Sequence, residues 1–250
     1  MTTISDPSSG RSGSALPCSI TTQNGPVPVE WRRSVRARRI SLRVSPRSQG
    51  IVVTLPASAT TEAGLRLLRT HMTWIEKQLL RRAHGPRFEA GSTVPINGTD
   101  YVIRHNAEGR GGAWLEQTEI HVSGDPAFIP RRVTDFLRQI AKQKLTARVT
   151  ELSSGTSLVP KQIAIRDTTS RWGSCTASGR VMLSWRLIMS PAAVQDYVIL
   201  HELAHLRHLN HSAAFWALVD TLTPHRTHAE NWLKAHGAAL MHAGTKTSAS

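Results

Sequence analysis

Residues 196–206 read DYVILHELAHL, and the reading of this stretch decides the fold. His201 and His205, four residues apart, share one face of a helix about 6 Å apart along its axis, so both imidazoles can converge on one ion. Val198, Ile199, Leu200 and Leu203 are apolar enough to bury that helix. Two ligands do not hold zinc, so a third must come from beyond His205. On a straight helix His208 would lie about 10.5 Å along the axis from His201, too far to share an ion. His211 is therefore the expected third ligand, with His208 as the alternative. This requires the helix to stop and the chain to double back, and Asn210 stands where that stop is expected. Three protein ligands leave a fourth position for water, the mark of a catalytic site with one zinc ion per chain. Glu202, beside the first ligand, is the expected general base that takes a proton from the zinc-bound water.

Outward from this helix, Ser190-Pro191 reads as its start. Before it, QIAIRD (162–167) and RVMLSWRLI (180–188) read as strands, joined by the loop TTSRWGSCTASG. Within that loop Arg171 and Trp172 are expected to line the cleft or contact substrate, against the alternative of a packed Trp with a snorkelling Arg. Cys175 reads as a small buried thiol, and Met182–Leu187 as an edge strand able to pair with an extended peptide. Apolar periodicity predicts one helix over 130–152 and others over 212–222 and 227–241.

The other half alternates differently. Ile40, Leu42 and Val44 predict a strand, PRSQG a turn, and IVVTLP (51–56) its hairpin partner. Leu65, Leu68, Met72, Ile75 and Leu79 predict one helix over 61–82. Asn97-Gly98 signals a hairpin, and WLEQTEIHV (114–122) a further strand. The expected division is a Ser-, Thr-, Gly- and Pro-rich disordered tail over 1–27, a basic strand-rich region over 28–125, a metallohydrolase domain over 126–243 and a disordered tail over 244–250. The fold class is α+β.

Charge is uneven. The chain carries 31 Lys and Arg against 17 Asp and Glu, a net charge of +14, and residues 30–90 alone hold 13 basic and 4 acidic side chains. An apolar fraction of 40% excludes a mainly disordered chain. No apolar run approaches the roughly 20 residues of a membrane span, and no signal-peptide pattern opens the sequence, so a cytoplasmic location is expected. Two cysteines, Cys18 and Cys175, make no disulfide framework.

The runs RWGSC (171–175), MLSWRLI (182–188), DYVILHELAHL (196–206) and NHSAAFW (210–216) resemble the YgjP-like metallopeptidase-domain family, itself similar to the SprT and WLM zinc proteases. RRSVRARRISLRV and the helix ending in WIEKQLLRR resemble that family's front half. The resemblance implies a zincin-like core with a small sheet, a metal held by His201, His205 and His211, and Glu202 as base. The family tends to place an acid after the proline that follows the third ligand; here Pro224 is followed by His225, so no role for that acid carries over.

The expected function is a zinc-dependent metallopeptidase acting on peptide or protein substrates. Two alternatives follow from the Arg-rich surroundings. The same site could hydrolyse the phosphoanhydride of a nucleoside triphosphate, or serve a DNA-associated protease whose basic N-terminal region, with Trp31 beside Arg32 and Arg33, binds nucleic acid.

Overall fold

The computed structural model describes residues 18–22, 25–45, 50–83, 85–168 and 170–244, without the side chains of 80–83. Most of the expected N-terminal tail, residues 46–49 of the expected turn, and 245–250 lie outside the described residues. The chain divides into two compact units, Met1–Ala83 and His84–Ser250. Asp125-Pro126, the boundary expected from sequence, falls inside the second unit.

In the first unit β1 (Ser19–Thr22), β2 (Gly25–Ser34), β3 (Ser41–Val44) and β4 (Ile51–Pro56) form a sheet in the order β1-β2-β4-β3. The hairpin β3–β4 is antiparallel as expected, whereas β2 runs parallel to β4. Residues 19–22 were expected in the tail; they pair with β2 because Ile20 is wholly buried in this unit's core with Val29, Val53, Leu55 and Leu68. The expected single helix is two, α1 (Thr61–Thr70) and α2 (Met72–Ala83). The break is His71, at φ −106° and ψ 15°, whose ring donates from Nδ1 to the Leu67 carbonyl at 3.0 Å. Gly64 lets α1 approach the sheet, since a β-carbon there would stand 2.8 Å from both Leu55 and Trp31 side chains.

The second unit begins with β5 (Thr93–Ile96), β6 (Thr99–Asn106), β7 (Ala113–Glu116) and β8 (Glu119–Ser123), a sheet in the order β5-β6-β8-β7. Asn97 and Gly98 turn the first hairpin with φ of 52° and 83°, the left-handed pair that Asn-Gly favours. The single strand expected over 114–122 is a second hairpin, turned at Gln117 with φ 50°. The helix α3 (Ile129–Ser154) buries Val133, Leu137, Ile140, Leu145 and Val149 on one face. A three-stranded sheet follows, β9 (Gln162–Arg166), β10 (Gly173–Cys175) and β11 (Arg180–Ser184), in the order β10-β11-β9. Residues 185–188, expected to continue the strand, instead belong to a buried 3₁₀ turn (Trp185–Met189) capped by the Ser184 hydroxyl.

The chain closes with α4 (Ala192–Ala204), α5 (Ala213–Leu222) and α6 (Arg226–Met241). The helix α4 is apolar nearly all round and packs against α3, α5, α6, β10 and β11. The first hairpin turn fixes its start: Gln195 Nε2 donates to Asn97 Oδ1 at 2.8 Å, and Asn97 N to the Ile188 carbonyl at 2.8 Å. The architecture is mixed α+β, strand-rich toward the N-terminus and helical toward the C-terminus. No helix among the described residues is long and apolar enough to cross a membrane.

Candidate metal centre

His201 and His205 stand one turn apart at the end of α4, which stops at Ala204, well before Asn210. The tightening is visible in the backbone: Leu206 N bonds Leu203 O at 2.9 Å and Arg207 N bonds Ala204 O at 3.1 Å, three residues back instead of four. The reversal therefore begins at His205, and Asn210 is not among the residues at positive φ. His205 Nδ1 donates to the His208 carbonyl at 2.8 Å, which orients the ring and leaves Nε2 for the cluster. His208 enters through that carbonyl and not through its imidazole. Ser212 caps α5 by accepting from Phe215 N at 3.3 Å, which sets His211 just ahead of the helix.

One ligand atom from each of His201, His205 and His211 lies within 4.8 Å of the others, so these three side chains could hold a metal ion. The Nε2 atoms of His201 and His211 are 3.1 Å apart. Phe215, fully buried, is a common floor, its ring centroid 5.0, 4.5 and 4.8 Å from those of His201, His205 and His211. Burial, then the neighbouring rings of His205 and His211, pushes the His201 imidazole down to about 4, so it stays a neutral base at ordinary pH. Its Nδ1 is buried without a hydrogen-bond partner among the described residues.

This donor set fits a zinc-sized cation. Two imidazole nitrogens 3.1 Å apart approach the roughly 3.3 Å edge of a tetrahedron with Zn–N bonds of about 2.05 Å. A proton on His201 is opposed by burial and by the two rings, whereas a shared cation satisfies all three lone pairs.

Glu202 is 7% exposed. Burial pushes its carboxyl up to about 7, and the charge of Arg171 pulls the other way. Gly173 on β10 abuts it. Cys175, two residues along, is partly buried and free, and its thiol is pushed up by burial and then by the Glu202 charge. Trp172 packs against α6, where a β-carbon on Gly237 would stand 3.3 Å from its indole Nε1, while Arg171 is exposed. The edge strand beside α4 is β10; β11, which holds Met182 and Leu183, is the central strand, so the sequence expectation of an edge there is corrected.

Sequence reasoning missed the support behind His211. Trp216 stacks on its ring at 5.3 Å and 29°, and Arg226 lies over the Trp216 indole, its Cζ 3.9 Å from the ring centroid. Arg226 NH1 donates to both Asp220 oxygens at 3.1 Å, and its Nε to Glu230 Oε1 at 3.1 Å. Glu230 also accepts from Tyr197 Oη at 2.8 Å, which ties α6 to α4 one turn before His201. The Trp and Arg spacings in NHSAAFW and HRTHAE carry no signal of this by themselves.

An apolar helix bearing a histidine pair, a third histidine after a tight reversal, and a buried carboxyl against a small sheet make this an α+β protein with a histidine cluster that could hold a metal ion. The chain matches the model of the YgjP-like metallopeptidase domain over residues 38–236 and belongs to that family. No curated protein and no solved structure matches it.

Proposed function

We propose that the chain is a zinc-dependent metallopeptidase with a zincin-like core, in which His201, His205 and His211 hold the ion and Glu202 is the general base. The observation that carries this reading is the convergence of three imidazoles beside a buried carboxyl whose pKa is raised to about 7. A bound zinc ion would supply Lewis acidity, lowering the pKa of a water toward neutrality and polarising a carbonyl.

Glu202 supplies the proton chemistry. A carboxyl poised near 7 accepts a proton from the attacking water and returns it to the leaving amine. Burial keeps bulk water from relaying that proton, and Gly173 and α4 hold the side chain between them. The outer edge of β10 carries no strand among the described residues, so an extended peptide can pair along it next to Glu202. Arg171, exposed and close enough to act on the Glu202 charge, is placed to meet a peptide carbonyl or carboxylate. Trp172 supports the same loop from below by its packing on α6.

The test is Glu202→Gln assayed by peptide-library digestion and metal analysis. Retained zinc with turnover reduced by at least a thousandfold supports the assignment; unchanged turnover overturns it. Phosphate release from a nucleoside triphosphate panel, with no peptide cleaved by the wild type, would reassign the substrate.

A further inference from the structure

Basic charge is concentrated on the first unit, whose 83 residues contain 13 Lys and Arg and 4 Asp and Glu. The segment joining β2 to β3 exposes Arg36, Arg38 and Arg39, and none of the three has an ion pair among the described residues. It leads straight into a groove of about 270 Å³ lined by Ile40, Leu42, Leu67, His71 and Trp74. Trp74 is 42% exposed, although its neighbour Ile75 is fully buried. Exposed cations adjoin the lining residues along the chain: Arg39 directly precedes Ile40, Arg66 directly precedes Leu67, and Lys77 follows one turn after Trp74. The His71 ring, which lines the groove, donates from Nδ1 to the Leu67 carbonyl.

We propose that this groove binds single-stranded nucleic acid, with a base stacked on Trp74 and the backbone phosphates carried by Arg39, Arg66 and the arginines of the β2–β3 segment. Three features favour this occupant over other anions. An exposed indole at an apolar groove accepts a flat ring, and every unpaired base offers one. Guanidinium groups fork onto phosphate oxygens, and they stand here without carboxylate partners. A bilayer would need a row of protruding apolar side chains, whereas among the described residues of this unit only Val35 and Trp74 are large, apolar and exposed. The body of a duplex presents phosphates but keeps its base faces stacked, so it leaves the indole unused.

The test is fluorescence anisotropy of a labelled oligo-dT with the full chain, titrated with salt, together with the Trp74→Ala and Arg38→Gln/Arg39→Gln variants. All three positions are exposed, so the variants keep the core intact; circular dichroism checks this. The expected result is salt-dependent binding that Trp74→Ala weakens at least fivefold. The double arginine variant should reduce the slope of log K against log salt by about 0.7 for each phosphate contact removed. Binding that Trp74→Ala leaves unchanged, duplex bound as tightly as single strand, equal competition by polyglutamate, or no binding at ~20 mM salt would each overturn the proposal. Repeating the titration on chelator-treated protein should leave the affinity unchanged, which separates this groove from the metal centre.

Discussion

Gly173 on β10 lies against the side chain of Glu202 on α4 so closely that a β-carbon at Gly173 would stand 2.5 Å from Glu202 Cγ and 2.6 Å from its Oε1. No real side chain tolerates that separation, so residue 173 has to be glycine for the carboxyl to occupy its present position. The methyl group of Gly173→Ala would push Glu202 out of line rather than unfold the helix, because overpacking at one contact costs about 1–3 kcal/mol. The expected outcome is a kcat/KM at least tenfold below wild type with zinc content unchanged. Wild-type turnover in Gly173→Ala would show that the position of Glu202 does not govern the reaction.

Chelation tests the histidine cluster without reference to turnover. A ligand held only by the folded state stabilises it by about 2.7 kcal/mol at a concentration 100 times its Kd. For a chain of this size that raises Tm by roughly 5–10 °C. Zinc added to the apo protein should give such a shift, and in His211→Ala the shift should largely vanish. A full shift in His211→Ala combined with its loss in His208→Ala would move the third ligand to His208.

The helix bearing the histidine pair was legible because its apolar positions and histidines repeat with helical spacing, and the meeting of His211 with that pair was reachable by excluding the His208 ring on axial distance. Asn97-Gly98 likewise specified its hairpin locally. What escaped depends on long-range pairing. The parallel neighbours β2–β4, β6–β8 and β9–β11 are set by partners far along the chain, which no local period encodes. The helix stop was assigned to Asn210 on side-chain preference, but the turn begins at His205, where backbone bonds to Leu203 and Ala204 and the His205 ring on the His208 carbonyl close it. Gly173 reads as an ordinary loop glycine until α4 is laid against it.

Asp167 and Arg186 give a pH-dependent element that involves none of the three clustered histidines. Arg186 is 6% exposed, its NH1 pairs with Asp167, and Trp185 Nε1 donates to the same carboxylate at 3.1 Å. Burial tends to raise the Asp167 carboxyl, but the hydrogen bond and charge of Arg186, with help from Trp185 and Arg138, outweigh it and hold the group below its usual range. A depressed carboxyl stabilises the fold above its unfolded pKa, about 3.9, and that contribution is lost as pH falls through the folded value. Asp167 is 44% exposed, so screening reduces the effect, and Asp167→Asn should cost about 1–2 kcal/mol at pH 7. Denaturant titrations should show the gap between wild type and variant closing below about pH 4. A gap that stays constant down to pH 3 would remove the ion pair as its cause.

The stack behind His211 yields a prediction about metal affinity. His211 is exposed, and on its own it would sample several rotamers; Trp216 on one side, itself covered by Arg226, limits that freedom. Arg226 is in turn fixed by Asp220 and Glu230. A cation–π contact of this kind contributes about 0.5–2 kcal/mol. Arg226→Met keeps most of the apolar stem but loses the charge and both carboxylate bonds, so zinc affinity measured by chelator competition should fall roughly 3- to 30-fold. Trp216→Phe, which keeps an aromatic face for His211, should lose less than Trp216→Leu. Apo-protein Tm provides the control: a purely structural role for Arg226 would lower Tm and leave zinc affinity at the wild-type value, and that pattern would sink the positioning role.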